Sequence, residues 1–297
     1  MASARQHRIL IATNGSPSAQ AALLTALKFP WPASAVARAV VARCSWLLGA
    51  SEHARAAVEK SLEAAADTAR RALARCWPES EVVVVDARAV DAVLVEAERF
   101  EASVIVLGWR GHGVFRRLLA GSVSHRVAAR ARGTLLVVRK PVSALRCVVV
   151  GFDGCASVEH ALDFLGSLEP GHGSRVVLVS VVEPVIVPAS LARSPTSVRS
   201  RIPSEVATIN RERFRQGQAV AAAGVARLER SGWAAHSEVR ADAPLASLLK
   251  AVAEHCADLL VLGARATSGL QLGLLGSVAK GALNSSLGLL LVRWPEP

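Results

Sequence analysis

Residues 108–122 read GWRGHGVFRRLLAGS and follow the apolar run ASVIVLG, residues 102–108. An apolar run that ends in a glycine-rich loop and passes into a helix decides the fold of this chain. In open parallel sheets, ligands bind where loops leave the carboxyl ends of the strands. Gly108 and Gly111 let the backbone turn tightly and approach a ligand with no Cβ in the way. Gly121 and Ser122 stand where the next helix begins, and free N–H groups there favour an anion. Two readings of the loop follow. It is a cradle for a polyphosphate, or its glycines serve turning alone and Ser122 is only an N-cap.

The same text occurs again. Residues 263–277, GARATSGLQLGLLGS, follow ADLLVLG in the same manner. Gly263, Gly276 and Ser277 match Gly108, Gly121 and Ser122, while Ala266 stands in place of Gly111. Alanine at a position of positive φ or close phosphate approach costs about 1 kcal/mol or more. Earlier in the chain, RILIATNGS (residues 8–16) is matched by CVVVGFDGC (residues 147–155), which pairs Asn14-Gly15 with Asp153-Gly154. The chain is therefore written twice, and a repeat of this kind sets the architecture. The two turns are 139 residues apart and the two glycine loops 155, so the second copy carries 16 extra residues. They are assigned to the Pro-, Ser- and Arg-rich stretch 184–203, which reads as a mobile surface loop.

Within each copy, β-branched runs alternate with helical patterns. Continuous apolar strands alternating with helices predict a parallel sheet covered on both faces. The fold class is α/β: two tandem flavodoxin-like or Rossmann-like domains, each a five-stranded parallel sheet with helices on both faces. The domains span 1–142 and 143–297, with the boundary near KPVSALR, residues 140–146.

Composition narrows the function. The chain has 297 residues, is 52% hydrophobic and has a mean hydropathy of +0.34. Its most apolar stretch, residues 176–192, is broken by Glu183, Pro184 and Pro188, so no spanning helix is expected. The first 15 residues hold too short an apolar run for a signal-peptide core. The five scattered cysteines form no CxxC pair, and the histidines show no ligand spacing. No metal site and a reducing, cytoplasmic setting are expected. The net charge of +11 attracts anions such as nucleotides. Tyrosine is absent and no aromatic-interleaved basic stripe occurs, which argues against nucleic acid as the partner.

The spacing G-x2-G-x9-G-[ST], met in full by Gly108, Gly111, Gly121 and Ser122, resembles the nucleotide-binding signature of the universal stress protein family. SVIVLGWRGHG, GSVSHRVAARARGTLLVVR and the opening NGS and DGC turns are similar to that family as well. The resemblance covers nearly the whole chain, as two copies. It implies a regulatory ATP ligand in a bacterial stress response, with magnesium carried by the phosphates. By position it implies that Gly108, Gly111, Gly121 and Ser122 hold phosphates, and that Val123 extends the turn. Asn14 and Gly15 would lie under the nucleoside, and Val41 would offer backbone groups to adenine. In the second copy Asp153, Gly263, Gly276 and Ser277 hold the matching positions. The family's first-strand aspartate is Asn14 here, so each copy lacks one element, and the first, with its full glycine set, is expected to be the better site. The sequence offers no convincing general base for fast hydrolysis, so at most slow ATP hydrolysis is expected. The alternative is a nucleotide-independent interaction module. There the copies form an intramolecular pseudo-dimer, with their fifth strands paired, for an unknown protein partner or a second copy of the chain.

Overall fold

The computed structural model describes residues 6–43, 51–109, 122–131, 133–187, 196–264, 276–283 and 288–293. The first half runs β1 (Arg8–Ala12), α1 (Pro17–Lys28), β2 (Val36–Arg43), α2 (Glu52–Leu73), β3 (Glu81–Asp86), α3 (Ala89–Arg99), β4 (Val104–Gly108), α4 (Ser122–Arg130) and β5 (Thr134–Val138). The second runs β6 (Cys147–Gly151), α5 (Ala156–Gly166), β7 (Arg175–Val181), α6 (Thr196–Arg230), β8 (Ala234–Arg240), α7 (Pro244–Glu254), β9 (Leu259–Ala264), α8 (Ser277–Ala282) and β10 (Gly288–Arg293). Local chemistry starts the helices where they start. Ser16 Oγ accepts from the Ala19 N–H ahead of Pro17, and Ser51 Oγ accepts from the Ala54 N–H.

Each half is a parallel five-stranded unit, and the strand order 3-2-1-4-5 is the Rossmann-like arrangement. The halves do not carry separate sheets, however. β10 pairs antiparallel with β5, with Leu289 opposite Val137 and Val292 opposite Thr134. One ten-stranded sheet results, in the order β3-β2-β1-β4-β5-β10-β9-β6-β7-β8. The two-residue side-chain period of a strand sends alternate residues to opposite faces. Ile9 and Ile11 join the core under α1, α2, α5 and α6, while Leu10 joins the core under α3, α4, α7 and α8.

The stretch 184–203 is not a loop throughout. α6 begins at Thr196 and contains Pro203, so residues 196–203 are helical. Much of the extra length of the second half is helix: α6 has 35 residues against 22 in α2. Pro203 lies inside the helix, where it has no N–H to donate to the residue four positions back, and the alanine-rich later part of α6 packs on the sheet. No helix among the described residues is long and apolar enough to cross a membrane.

Side chains reinforce the joint. On the α1 side, His7, Trp31 and Phe164 pack ring against ring, with Phe29 against Trp31. Ser167 Oγ donates to the Phe164 carbonyl at 2.6 Å and lies 2.7 Å from His7 Nε2. The hydroxyl has one proton and gives it to the carbonyl, so His7 Nε2 is the donor to Ser167. Glu169 N–H donates to the Pro30 carbonyl, and Val142 N–H to Thr25 Oγ1.

Burial of His7 lowers its pKa below the ordinary 6.5. The unfolded chain then takes up a proton that the folded chain refuses, so stability is lost as pH falls through about 6.5 toward the lowered folded value. Urea denaturation at about pH 7.5 and about pH 5.5 is expected to show the lower midpoint at the acid pH. His7→Gln is expected to shrink that difference without abolishing it, because burial, helped by Lys280, lowers His125 in the same direction.

Candidate functional site

In this strand order, the loops after β1 and β4 leave in opposite directions and open a crevice at the carboxyl ends. The second half has the same arrangement between β6 and β9. The turns at these strand ends are alike in geometry. Asn14 Oδ1 accepts from the Ser16 N–H at 3.1 Å, and Asp153 Oδ1 accepts from the Cys155 N–H at 3.1 Å. Gly15 and Gly154 follow in left-handed conformations, at φ of +74° and +71°. Asn14 thus performs the local structural task of Asp153, and what it lacks is the charge. α2 closes over the first turn through Ala65 and α6 over the second through Val220.

The strand ends beside these turns also repeat. Thr13 N–H donates to the Val40 carbonyl, and Phe152 N–H to the Val179 carbonyl. Backbone groups of alternate residues in a parallel strand face opposite neighbours. Val41, buried and opposite Val84, therefore directs its backbone groups into the ladder with β3. Its neighbour Ala42 faces the space beyond the end of β1. In the second half Val182 N–H donates to the Arg240 carbonyl, on the β8 side, which leaves Val181 facing the crevice.

The glycines divide into two kinds. A Cβ on Gly108 would overlap the Ser18 carbonyl and come within 2.7 Å of the Ala19 nitrogen. On Gly263 it would come within 2.7 Å of Val158 Cγ2 and 3.0 Å of the Val158 nitrogen. Both glycines let the first turn of α1 or α5 press on the end of β4 or β9. Gly276 differs, because a Cβ there would meet open space among the described residues. Gly111 and Gly121 lie outside the described residues. Ser122 opens α4, with Val123 half-buried after it.

In the second half the expected residues converge. Asp153, Gly263, Gly276 and Ser277 line one cleft of about 620 Å³, beneath Val181 and α6. Pockets of roughly 300–1,000 Å³ hold small-molecule ligands. The described lining is mainly backbone and aliphatic, with two carboxylates, Asp153 and Glu183, and one guanidinium, Arg213. α6 forms one wall and fastens the segment after β7: Arg213 Nη1 donates to the Glu183 carbonyl, and Asn210 exchanges hydrogen bonds with the backbone of Val185.

Three features of the site escape sequence reasoning. Ser124 Oγ donates to the Gly108 carbonyl at 3.3 Å and ties the first turn of α4 to the end of β4. Trp109 is buried between His125, ring centroids 4.9 Å apart, and the guanidinium of Arg139. Arg139 in turn donates to the Leu283 carbonyl, and Lys280 lies near enough to His125 to lower its pKa further, after burial. The end of α8 therefore meets the end of β5 across the joint, and Lys280 of α8 lies within electrostatic reach of His125 on α4. Only the Trp after the first loop glycine gives a signal in the sequence, as an aromatic in a loop that needs a buried seat.

The two kinds of glycine are separable by experiment. Gly108→Ala is expected to cost about 3 kcal/mol of stability through overpacking, whatever ligand is present. Gly276→Ala is expected to cost no more than about 1 kcal/mol, the scale of an N-cap exchange. Denaturant unfolding of both variants checks this.

The family model described as universal stress protein matches residues 6–139 and again residues 145–292. The fold is similar to that of a universal stress protein from Archaeoglobus fulgidus DSM 4304, with a TM-score of 0.67 and 16% identity over 97% of this chain and 99% of that one. It is also similar to a functionally unknown protein from Pseudomonas aeruginosa PAO1, with a TM-score of 0.57 and 14% identity over 98% of this chain and 93% of that one. A third likeness is to a universal stress protein, so far assigned by inference, from Pseudomonas aeruginosa UCBPP-PA14, with a TM-score of 0.55 and 15% identity over 98% and 94% of the two chains. No curated protein matches the chain. Two matches of the family model, one on each half of the ten-stranded sheet, place the chain in the universal stress protein family as a tandem two-domain member.

Proposed function

We propose that the chain binds an adenine nucleotide, ATP with magnesium on its phosphates, as a regulatory ligand in a bacterial stress response in the cytoplasm. The observation that carries this reading is the cleft at the carboxyl ends of β6, β7 and β9, where Asp153, Gly263, Gly276 and Ser277 share one wall system. Gly276 leaves room for phosphate to approach the backbone. The described lining offers more carboxylate than guanidinium, so a bare tetra-anion would be poorly matched. A metal-bound phosphate chain suits it better, with Asp153 in the lining where a magnesium-bound water or a ribose hydroxyl would lie. The first half brings the complete glycine spacing of its loop, together with Arg110, Arg116 and Arg117, which can meet phosphate charge. A lining of backbone, aliphatic side chains and two acids suits holding a ligand.

The second reading, a nucleotide-independent interaction module, draws support from the antiparallel pairing of β5 with β10, which builds a pseudo-dimer within one chain. The long α6 adds a mostly exposed stretch over residues 201–216 that carries several arginines. Calorimetric titration with magnesium-ATP separates the two. The nucleotide reading predicts saturable binding at or below millimolar concentration. It also predicts that Gly121→Ala removes the first half's share of the stoichiometry, and that Gly276→Ala weakens the second half's share by at least ~10-fold, or ~1.4 kcal/mol. No heat at millimolar nucleotide, or binding unchanged in both variants, would leave the interaction module as the better account.

A further inference from the structure

Among the described residues, one group of metal-ligating side chains stands outside the cleft and has no part in the reading above. His236 and Glu238 are two residues apart on β8 and so point to the same face of the strand. β8 is an outer strand of the sheet. His255 caps the carboxyl end of α7 and reaches that face. Its Nε2 lies 2.7 Å from Glu238 Oε1, and His236 Nε2 lies 3.9 Å from the same oxygen. The two imidazole rings meet edge to face, with centroids 5.6 Å apart. One ligand atom from each residue lies within 4.8 Å of the other two.

The carboxylate is held in a definite orientation. Arg240 donates to Glu238 Oε2 at 2.6 Å, which leaves Oε1 turned to both histidines. A partner on the second oxygen is how outer-shell groups aim a metal-binding carboxylate. The charge of Arg240 is shared with Glu254, whose Oε2 accepts from it at 2.6 Å, so two carboxylates face that one guanidinium. Lys250 lies farther out, 3.8 Å from Glu254 Oε1.

We propose that His236, Glu238 and His255 form a binding site for a divalent cation of the zinc type, with a fourth coordination position open to water or to a donor from another molecule. Two imidazole nitrogens and one carboxylate oxygen suit borderline first-row ions, whereas magnesium and calcium prefer oxygen alone. Zinc bonds of roughly 2.0–2.2 Å in a tetrahedron place ligand atoms about 3.4 Å apart. The separations here fall on both sides of that value. Inserting the ion parts His255 from Glu238 by less than about 1 Å and draws His236 inward. The His236 side chain is half exposed, at 50%, and has the freedom to turn. The bound ion would pin the end of α7 to the edge strand, a part of a sheet that proteins commonly cover or constrain.

The test is titration of zinc chloride into the chelator-stripped, nucleotide-free chain, followed by calorimetry and by the melting temperature. Cobalt(II) is the spectroscopic probe of coordination. The expected result is one equivalent bound with roughly micromolar affinity, a raised Tm reversed by chelator, and a four- or five-coordinate cobalt spectrum without thiolate charge transfer. His236→Ala and Glu238→Gln are expected to weaken binding at least ~10-fold. His236→Ala is the informative variant, because it leaves the His255–Glu238 hydrogen bond in place. Cys256→Ser, beside His255, is expected to bind as the parent does. No binding at ~100 µM zinc, or equal affinity in His236→Ala, or loss in Cys256→Ser alone, would overturn the site and leave the trio as a hydrogen-bonded clamp.

Discussion

Leu289 to Val292 of β10 lie opposite Val137 to Thr134 of β5, and this antiparallel ladder turns two five-stranded units into one sheet. Each half on its own would expose its fifth strand as an open edge, with unpaired N–H and C=O groups that attract other chains. Pairing the two edges satisfies those groups within one molecule and, among the described strands, leaves β3 and β8 outermost. The ladder also sets what lies beside it. On one face it brings His7, Trp31 and Phe164 into a shared aromatic cluster. On the other it brings the end of α8 to the end of β5, with Arg139 hydrogen-bonded to the Leu283 carbonyl. Lys280 of α8 also lies within electrostatic reach of His125 on α4.

The glycines of a single sequence pattern stand in two different surroundings. Its first glycine, Gly108 or Gly263, is demanded by the helix that presses on the strand end, where any side chain would overlap α1 or crowd α5. Gly276 meets no such demand from the described residues, and its openness faces the cleft. The glycine pattern of this chain thus contains positions set by packing and one, Gly276, that packing among the described residues leaves open. The exchange of Gly111 for Ala266 concerns a position of neither established kind, because both residues lie outside the described residues.

The alternation of apolar runs and helical patterns, the internal repeat and the turn chemistry of Asn14-Gly15 and Asp153-Gly154 were legible because each is set by residues near in sequence. The pairing of β5 with β10 depends on strands about 155 residues apart, so periodicity could raise it only as part of one alternative. Residues 184–203 misled for a local reason: their Pro, Ser and Arg content reads as loop, while α6 starts at Thr196 and continues through Pro203 into an alanine-rich stretch that packs on the sheet. Val41 illustrates the limit of alignment. A shift of one residue along β2 reverses which neighbour the backbone groups face, and Ala42 occupies the position beside the crevice. His236, Glu238 and His255 were missed because the third ligand comes from the far end of α7, although the His-x-Glu pair on one strand face is a usable signal.

The central claim is that the carboxyl-end loops hold an adenine nucleotide. A crystal structure grown with magnesium and a non-hydrolysable ATP analogue tests it most directly. The account predicts phosphates against the backbone of Gly276 and Ser277, or of Gly121 and Ser122, with adenine toward Val181 or Ala42. Both loops free of nucleotide at saturating concentration, or nucleotide bound away from the crevices, would contradict it.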